Sequence, residues 1–249
     1  MFTPRDRDLL RSTLLELAAA DPAISAAAIT GSAAEGREDR WSDIDLAFSV
    51  ADGASLSATI DAWTDRMYAD HLAVHHLDVL AGPWTYRVFL RSDTLQVDLA
   101  FVAESEFRAL SPTFRLVFGS ANEPRHVAPP SAESLIGFGW LYALHARGCI
   151  VRGRPWQAAH MIAGIRDNAM TLACLRHGLP TAHGRGFDLL PADETARFED
   201  SLVRGLDAAA LSRAFHAAAA GLLEEVRLAD ADLAARVEST IRVLMNAPA

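Results

Sequence analysis

The stretch that most constrains this chain runs from Gly31 to Phe48 and reads GSAAEGREDRWSDIDLAF. From Asp43 onward, Ile44, Leu46, Phe48 and Val50 alternate with Asp43, Asp45, Ala47 and Ser49. A period of two predicts a strand over Ser42 to Val50 with one face buried. Both carboxylates then project from the other face, about 6.6 Å apart between Cα atoms. Two acids fixed side by side repel unless a cation sits between them. Their hard oxygen atoms suit Mg²⁺, which keeps part of its water shell and is commonly shared with substrate phosphates.

The same four letters, DLAF, recur in Leu95 to Val102, LQVDLAFV. Leu95, Val97, Leu99 and Phe101 face one way and Gln96, Asp98 and Ala100 the other, so Asp98 has the setting of Asp45. Asp78, in HHLDVL, is a rival third acid on another predicted strand. Asp98 is preferred because its strand mirrors the first.

Composition narrows the chemistry. Of 249 residues, 51% are hydrophobic, enough for a sizeable core, and the net charge is −9. An acidic chain disfavours broad nucleic-acid binding, which needs a basic surface. It is compatible with a cationic small molecule. All 23 basic residues are arginine. Without lysine the chain cannot be a P-loop NTPase, a kinase of the protein-kinase type or a Schiff-base enzyme. The two cysteines, Cys149 and Cys174, lie far apart in helical patterns and read as buried, reduced thiols. No apolar run approaches the roughly 20 residues of a membrane span, and the start shows no secretory signal. A cytoplasmic protein without a membrane partner is the expectation.

The elements divide the chain in two. Helices are predicted over Thr3 to Ala20 and Ser55 to Asp70, and strands over 23–30, 42–50, 72–80, 85–90 and 95–102, with a short helix near 104–110. The segment RHVAPPSAE, 125–133, has linker composition. Beyond it the pattern is helical only, at about 132–150, 155–177, 191–204, 207–226 and 229–246, with a loop over 180–190. The fold class is therefore α+β: a mixed β-sheet flanked by helices over 1–128, then an all-helical domain over 129–249.

A strand, Gly31-Ser32, a gap of ten residues, Asp43-x-Asp45 and a later strand bearing Asp98 together resemble the nucleotidyltransferase superfamily of the DNA polymerase β type. The likeness covers about residues 20 to 105. With a helical second half, the whole resembles the bacterial antibiotic nucleotidyltransferases, which adenylylate aminoglycosides or lincosamides. The resemblance implies that Asp43, Asp45 and Asp98 bind Mg²⁺, as a pair of ions, and that Asp98 also serves as a general base. It implies that Gly31, Ser32 and nearby N–H groups at a helix N-terminus cradle the phosphates of an NTP, ATP by expectation. It further implies that the helical domain lines the site of a small-molecule hydroxyl acceptor, and it admits a homodimer. A protein-modifying enzyme of the toxin–antitoxin type and an inactive nucleotide-binding module are the alternatives.

Other residues stay open between two roles. Ser42 belongs to the motif but also suits the start of a strand. Arg37 and Arg40 can touch phosphate or line a solvated loop. Arg166 lies on a stripe with Ala159, Ala163, Met170 and Ala173, so it needs a carboxylate partner or a ligand phosphate. Asp167 reads as a surface acid or a second base. Arg152, Arg154 and Trp156 read as a helix end.

Overall fold

The computed structural model describes residues 1–246. The chain divides into two compact units, Met1–Val127 and Ala128–Ala249. In the first, helix α1 spans Pro4–Ala20, strand β1 Ile24–Thr30 and the single turn α2 Gly31–Ala34, followed by β2 Ile44–Val50 and α3 Leu56–Asp70. Strands β3 Ala73–Ala81, β4 Trp84–Arg91, β5 Gln96–Ala103 and β6 Phe114–Phe118 complete it. The six strands form one sheet in the order β3-β4-β5-β2-β1-β6. Of the five strand pairs in this sheet, β2–β5 is parallel and the other four are antiparallel. The sheet is therefore mixed, as the sequence pattern predicts.

α1 starts where Thr3 and Asp6 form a reciprocal capping box, with Pro4 in the first turn. Its buried Leu10, Leu14 and Ala18 and the Ile60, Trp63 and Met67 of α3 cover the sheet face formed by Ile44, Leu46, Phe48, Leu99 and Phe101. The aromatic rings of Phe48, Trp63 and Phe101 pack in tilted and edge-on contacts at the middle of this layer.

The opposite face is not simply solvated, which corrects the expectation of one buried face. Ala26, Ala28, Ala47 and Ala100 lie on it and are buried under Trp84 and Phe107. Ser49 is buried too, its hydroxyl paired with that of Ser25. Small side chains on the strands leave room for the two large rings. This cover stops before Asp45 and Asp98, which are only partly buried.

Other features of this unit and the next differ from expectation. β2 begins at Ile44, so Asp43 is the last residue before the strand. The expected helix near 104–110 is one 3₁₀ turn, Glu104–Glu106. β6 has no counterpart in the prediction; it pairs only with β1 and its middle residues are exposed, so burial left no period to read. The loop at 180–190 contains two 3₁₀ turns.

The second unit has α4 Ala132–Val151, α5 Pro155–Arg176, α6 Ala192–Glu199, α7 Ala208–Ala229 and α8 Ala231–Asn246. α6 is shorter than the predicted 191–204. Leu211, Phe215, Leu222 and Val226 of α7 join Ile162 and Ile165 of α5 and Ala143 and Ala146 of α4 in one core. α4 is long and apolar enough to cross a membrane by length and composition alone, which corrects the expectation that no segment is. Its Leu135, Ile136, Ala143, Ala146 and Ile150 are buried in this helical core. Cys149 and Cys174 are free and buried.

Candidate metal centre

The parallel pairing of β2 with β5 aligns the two DLAF segments letter for letter: Asp45 with Asp98, Leu46 with Leu99, Ala47 with Ala100 and Phe48 with Phe101. In-register parallel strands send aligned side chains to the same face, one strand spacing apart. The repeat thus places two carboxylates side by side across strands. Asp43, two residues ahead of Asp45, adds the third. Each of Asp43, Asp45 and Asp98 offers a carboxylate oxygen, and these oxygens lie within 4.8 Å of one another.

Gln96, two residues before Asp98, ties the outer two acids together. Its Nε2 donates to Asp98 Oδ1 at 2.9 Å and to Asp43 Oδ2 at 3.4 Å. An uncharged amide offers little compensation for the charge. Burial pushes the Asp98 carboxyl up to about 6; Gln96 opposes this and the Asp43 charge adds to it. Among the described residues no arginine forms an ion pair with Asp43 or Asp98, although arginines neutralise many other acids of the chain.

Gly31, the first residue after β1, has a φ of +63°, a conformation that costs an L side chain. A Cβ at this position would overlap the carboxylate of Asp45. The glycine is therefore required twice, by its backbone angle and by the acid packed on it. Ser32 follows in the one-turn helix α2, which ends at Ala34. The expected phosphate cradle at a helix N-terminus thus has only turn amides to offer, since a single turn sums little dipole.

The loop from α2 to Asp43 is held by an arginine that the sequence reading missed. Arg7 of α1 is buried, and its Nη1 donates to the carbonyl of Asp39 at 2.6 Å and of Ser42 at 3.4 Å. Its Nε lies 3.1 Å from Glu38, which Arg11 also engages. The signal was present: Arg7 occupies the stripe of Leu10, Leu14 and Ala18, where a charge needs a partner. Ser42 belongs to this loop. Its hydroxyl accepts from the Asp39 N–H at 2.9 Å and donates to the Asp39 carboxylate at 3.1 Å. Arg37 pairs with Glu35 at the surface, and Arg40 lies over the Trp41 ring.

Asp78 stands apart. It accepts two hydrogen bonds from Arg87, each 2.7 Å, across the β3–β4 pair. Those bonds hold its carboxyl below the usual range. In the helical unit, Arg166 donates to Asp167 at 2.8 and 3.0 Å, so the two residues answer each other. Arg166 also lines a cleft of about 440 Å³ with Met170, Phe187 and Asp188.

No family model matches the chain, and no curated protein matches it in sequence. Among solved structures it is similar to an aminoglycoside 6-adenyltransferase from Bacillus subtilis. The likeness covers 94% of this chain and 96% of that one, with 13% identity and a TM-score of 0.41.

Proposed function

We propose that this chain is a Mg²⁺-dependent nucleotidyltransferase. It moves a nucleoside monophosphate, AMP from ATP, onto a hydroxyl of a small molecule and releases pyrophosphate. Aminoglycoside and lincosamide antibiotics are the acceptors to try first. The reading is supported above all by the in-register Asp45 and Asp98 on adjacent parallel strands, with Asp43 beside them. The donor set fits the metal: three carboxylates, no soft ligand, and a charge that arginine does not cancel at Asp43 or Asp98.

Asp43, Asp45 and Asp98 would hold the ion or ions. When bound, Mg²⁺ supplies stabilisation of charge on the attacking and leaving oxygens of an in-line displacement. The chain's own residues do the rest. The acceptor hydroxyl oxygen forms a bond to the α-phosphorus while the bond to the bridging oxygen breaks, and that electron pair leaves with pyrophosphate. The hydroxyl proton passes to the Asp98 carboxylate. Gly31 keeps the backbone beside Asp45 slim enough for phosphate to approach. Arg7 positions the loop that leads into Asp43.

The test is release of labelled pyrophosphate from ATP with Mg²⁺ across a panel of aminoglycosides and lincosamides. Asp43→Asn is expected to lower the rate on the order of a thousand-fold, about 4 kcal/mol of transition-state stabilisation. Turnover unchanged by that substitution would overturn the assignment. Labelling of a co-purified protein, with no small molecule modified, would move it to the protein-modifying class.

A further inference from the structure

The face of the sheet that carries the acids continues past Asp98, and its character changes. Val88 of β4 is the cross-strand partner of Asp98, and Leu77 of β3 is the partner of Val88. Two register positions away, on the same face, Leu90 pairs with Gln96 and His75 with Leu90. Aligned partners share a face, so Asp98, Val88 and Leu77 form a row at strand spacing, about 5 Å per step. Leu77 is 61% and Leu90 53% exposed, a poor place for large apolar side chains unless something covers them. His75, Leu77, Val88, Leu90 and Gln96 line a shallow cavity of about 150 Å³. Gln96 joins the two regions, since it lines the cavity and its amide bonds Asp98 and Asp43.

The order of the sheet says what would occupy this cavity. Gly31, at the end of β1, packs on Asp45 of β2; Asp98 of β5 follows, then Val88 and Leu77. In an in-line displacement the attacking and leaving oxygens lie on opposite sides of the phosphorus. With pyrophosphate leaving toward the Gly31 turn, the attacking hydroxyl comes from the β4–β3 side. The body of the acceptor then rests on the Val88–Leu77 row.

We infer that the acceptor carries an apolar ring or branched group next to its reactive hydroxyl, and that Leu77, Val88 and Leu90 select for it. The inference rests on the nucleotidyl-transfer reading and narrows its substrate class. The cavity holds one ring-sized group, not an extended chain. A uniformly polar, polycationic acceptor would leave Leu77 and Leu90 uncovered.

Protein labelled at leucine and valine methyl groups, with signals assigned by substitution, reads the site without turnover. It is titrated with cyclohexylmethanol and, separately, with ethylene glycol. The methyl signals of Leu77, Val88 and Leu90 are expected to shift with the first and stay still with the second. In Leu77→Ser the apparent affinity for cyclohexylmethanol is expected to fall at least tenfold. No shift at these methyls, or equal shifts with both compounds, overturns the inference. So does a Leu77→Ser protein that changes its sedimentation coefficient while binding cyclohexylmethanol unchanged, which would make the face a contact between copies. Calorimetric titration of Mg²⁺ with a non-hydrolysable ATP analogue is run on the same samples. Its failure in the unsubstituted protein sinks the nucleotidyl-transfer reading and, with it, the assignment of the cavity to an acceptor.

Discussion

In the helical unit, Glu225 is only 1% exposed on α7, and Arg176 and Arg197 reach its carboxylate from α5 and α6. Arg176 also holds Glu194 at 2.5 Å, and His177 meets the same acid. Burial pushes the Glu225 carboxyl up while these guanidinium groups pull it down. In the sheet unit, Asp98 is pushed up as well, but its hydrogen-bond donor is the neutral amide of Gln96 and its charged neighbour is another acid. The Glu225 cluster carries its counter-charge within the fold, whereas among the described residues no arginine pairs with Asp98 or with Asp43 beside it. A buried charge without compensation costs several kcal/mol, so a fold that keeps one has a use for it.

Substitutions should separate the two clusters by sign. Glu225→Gln removes the acid that two arginines face, and is expected to lower unfolding stability by about 2–3 kcal/mol, read by denaturant midpoint. Asp98→Asn should do the reverse in the absence of divalent cations. The Asp98 carboxyl sits at about 6 in the fold against an ordinary value of 3.8. The folded state therefore binds the proton more tightly, and stability is lost as pH rises from about 4 through about 6. Above that range the ionised group costs up to about 3 kcal/mol, which the asparagine protein escapes. Melts in chelator from pH 4 to pH 8 should show the natural protein falling relative to Asp98→Asn. Destabilisation by both substitutions would break the contrast.

The smallest effect tests the packing beneath the acids. Gly31→Ala must hold a positive φ, at about 1–2 kcal/mol, and must push the Asp45 carboxylate aside. It should weaken Mg²⁺ binding as well as stability. An alanine protein that keeps full Mg²⁺ affinity would show that Asp45 has freedom that its packing on Gly31 does not suggest.

Much of the sheet unit was legible because local pattern and tertiary role agree there. The alternation around Asp45 and Asp98 predicts both strands, and the repeated DLAF gives the two acids one setting. That the repeats pair in parallel and in register is a tertiary fact without a local signal. The same holds for Gln96, whose side chain reads as an ordinary surface amide until Asp43 is brought beside it. β6 was invisible because an exposed edge strand buries too little to impose a period. Arg7 was overlooked although it shows the mark that singled out Arg166, a guanidinium on an apolar helical stripe. In sequence the repeated DLAF alone favours Asp98 over Asp78; in the structure Asp98 aligns with Asp45, while Asp78 is paired with Arg87.

The central claim is that Asp43, Asp45 and Asp98 form a cation site. Calorimetric titration with Mg²⁺ at pH 7.5 tests it most directly. Binding is predicted in the natural protein, at least tenfold weaker at pH 5 where Asp98 holds its proton, and absent in Asp98→Asn. Equal binding by the natural and Asp98→Asn proteins, or none by either, would contradict the account.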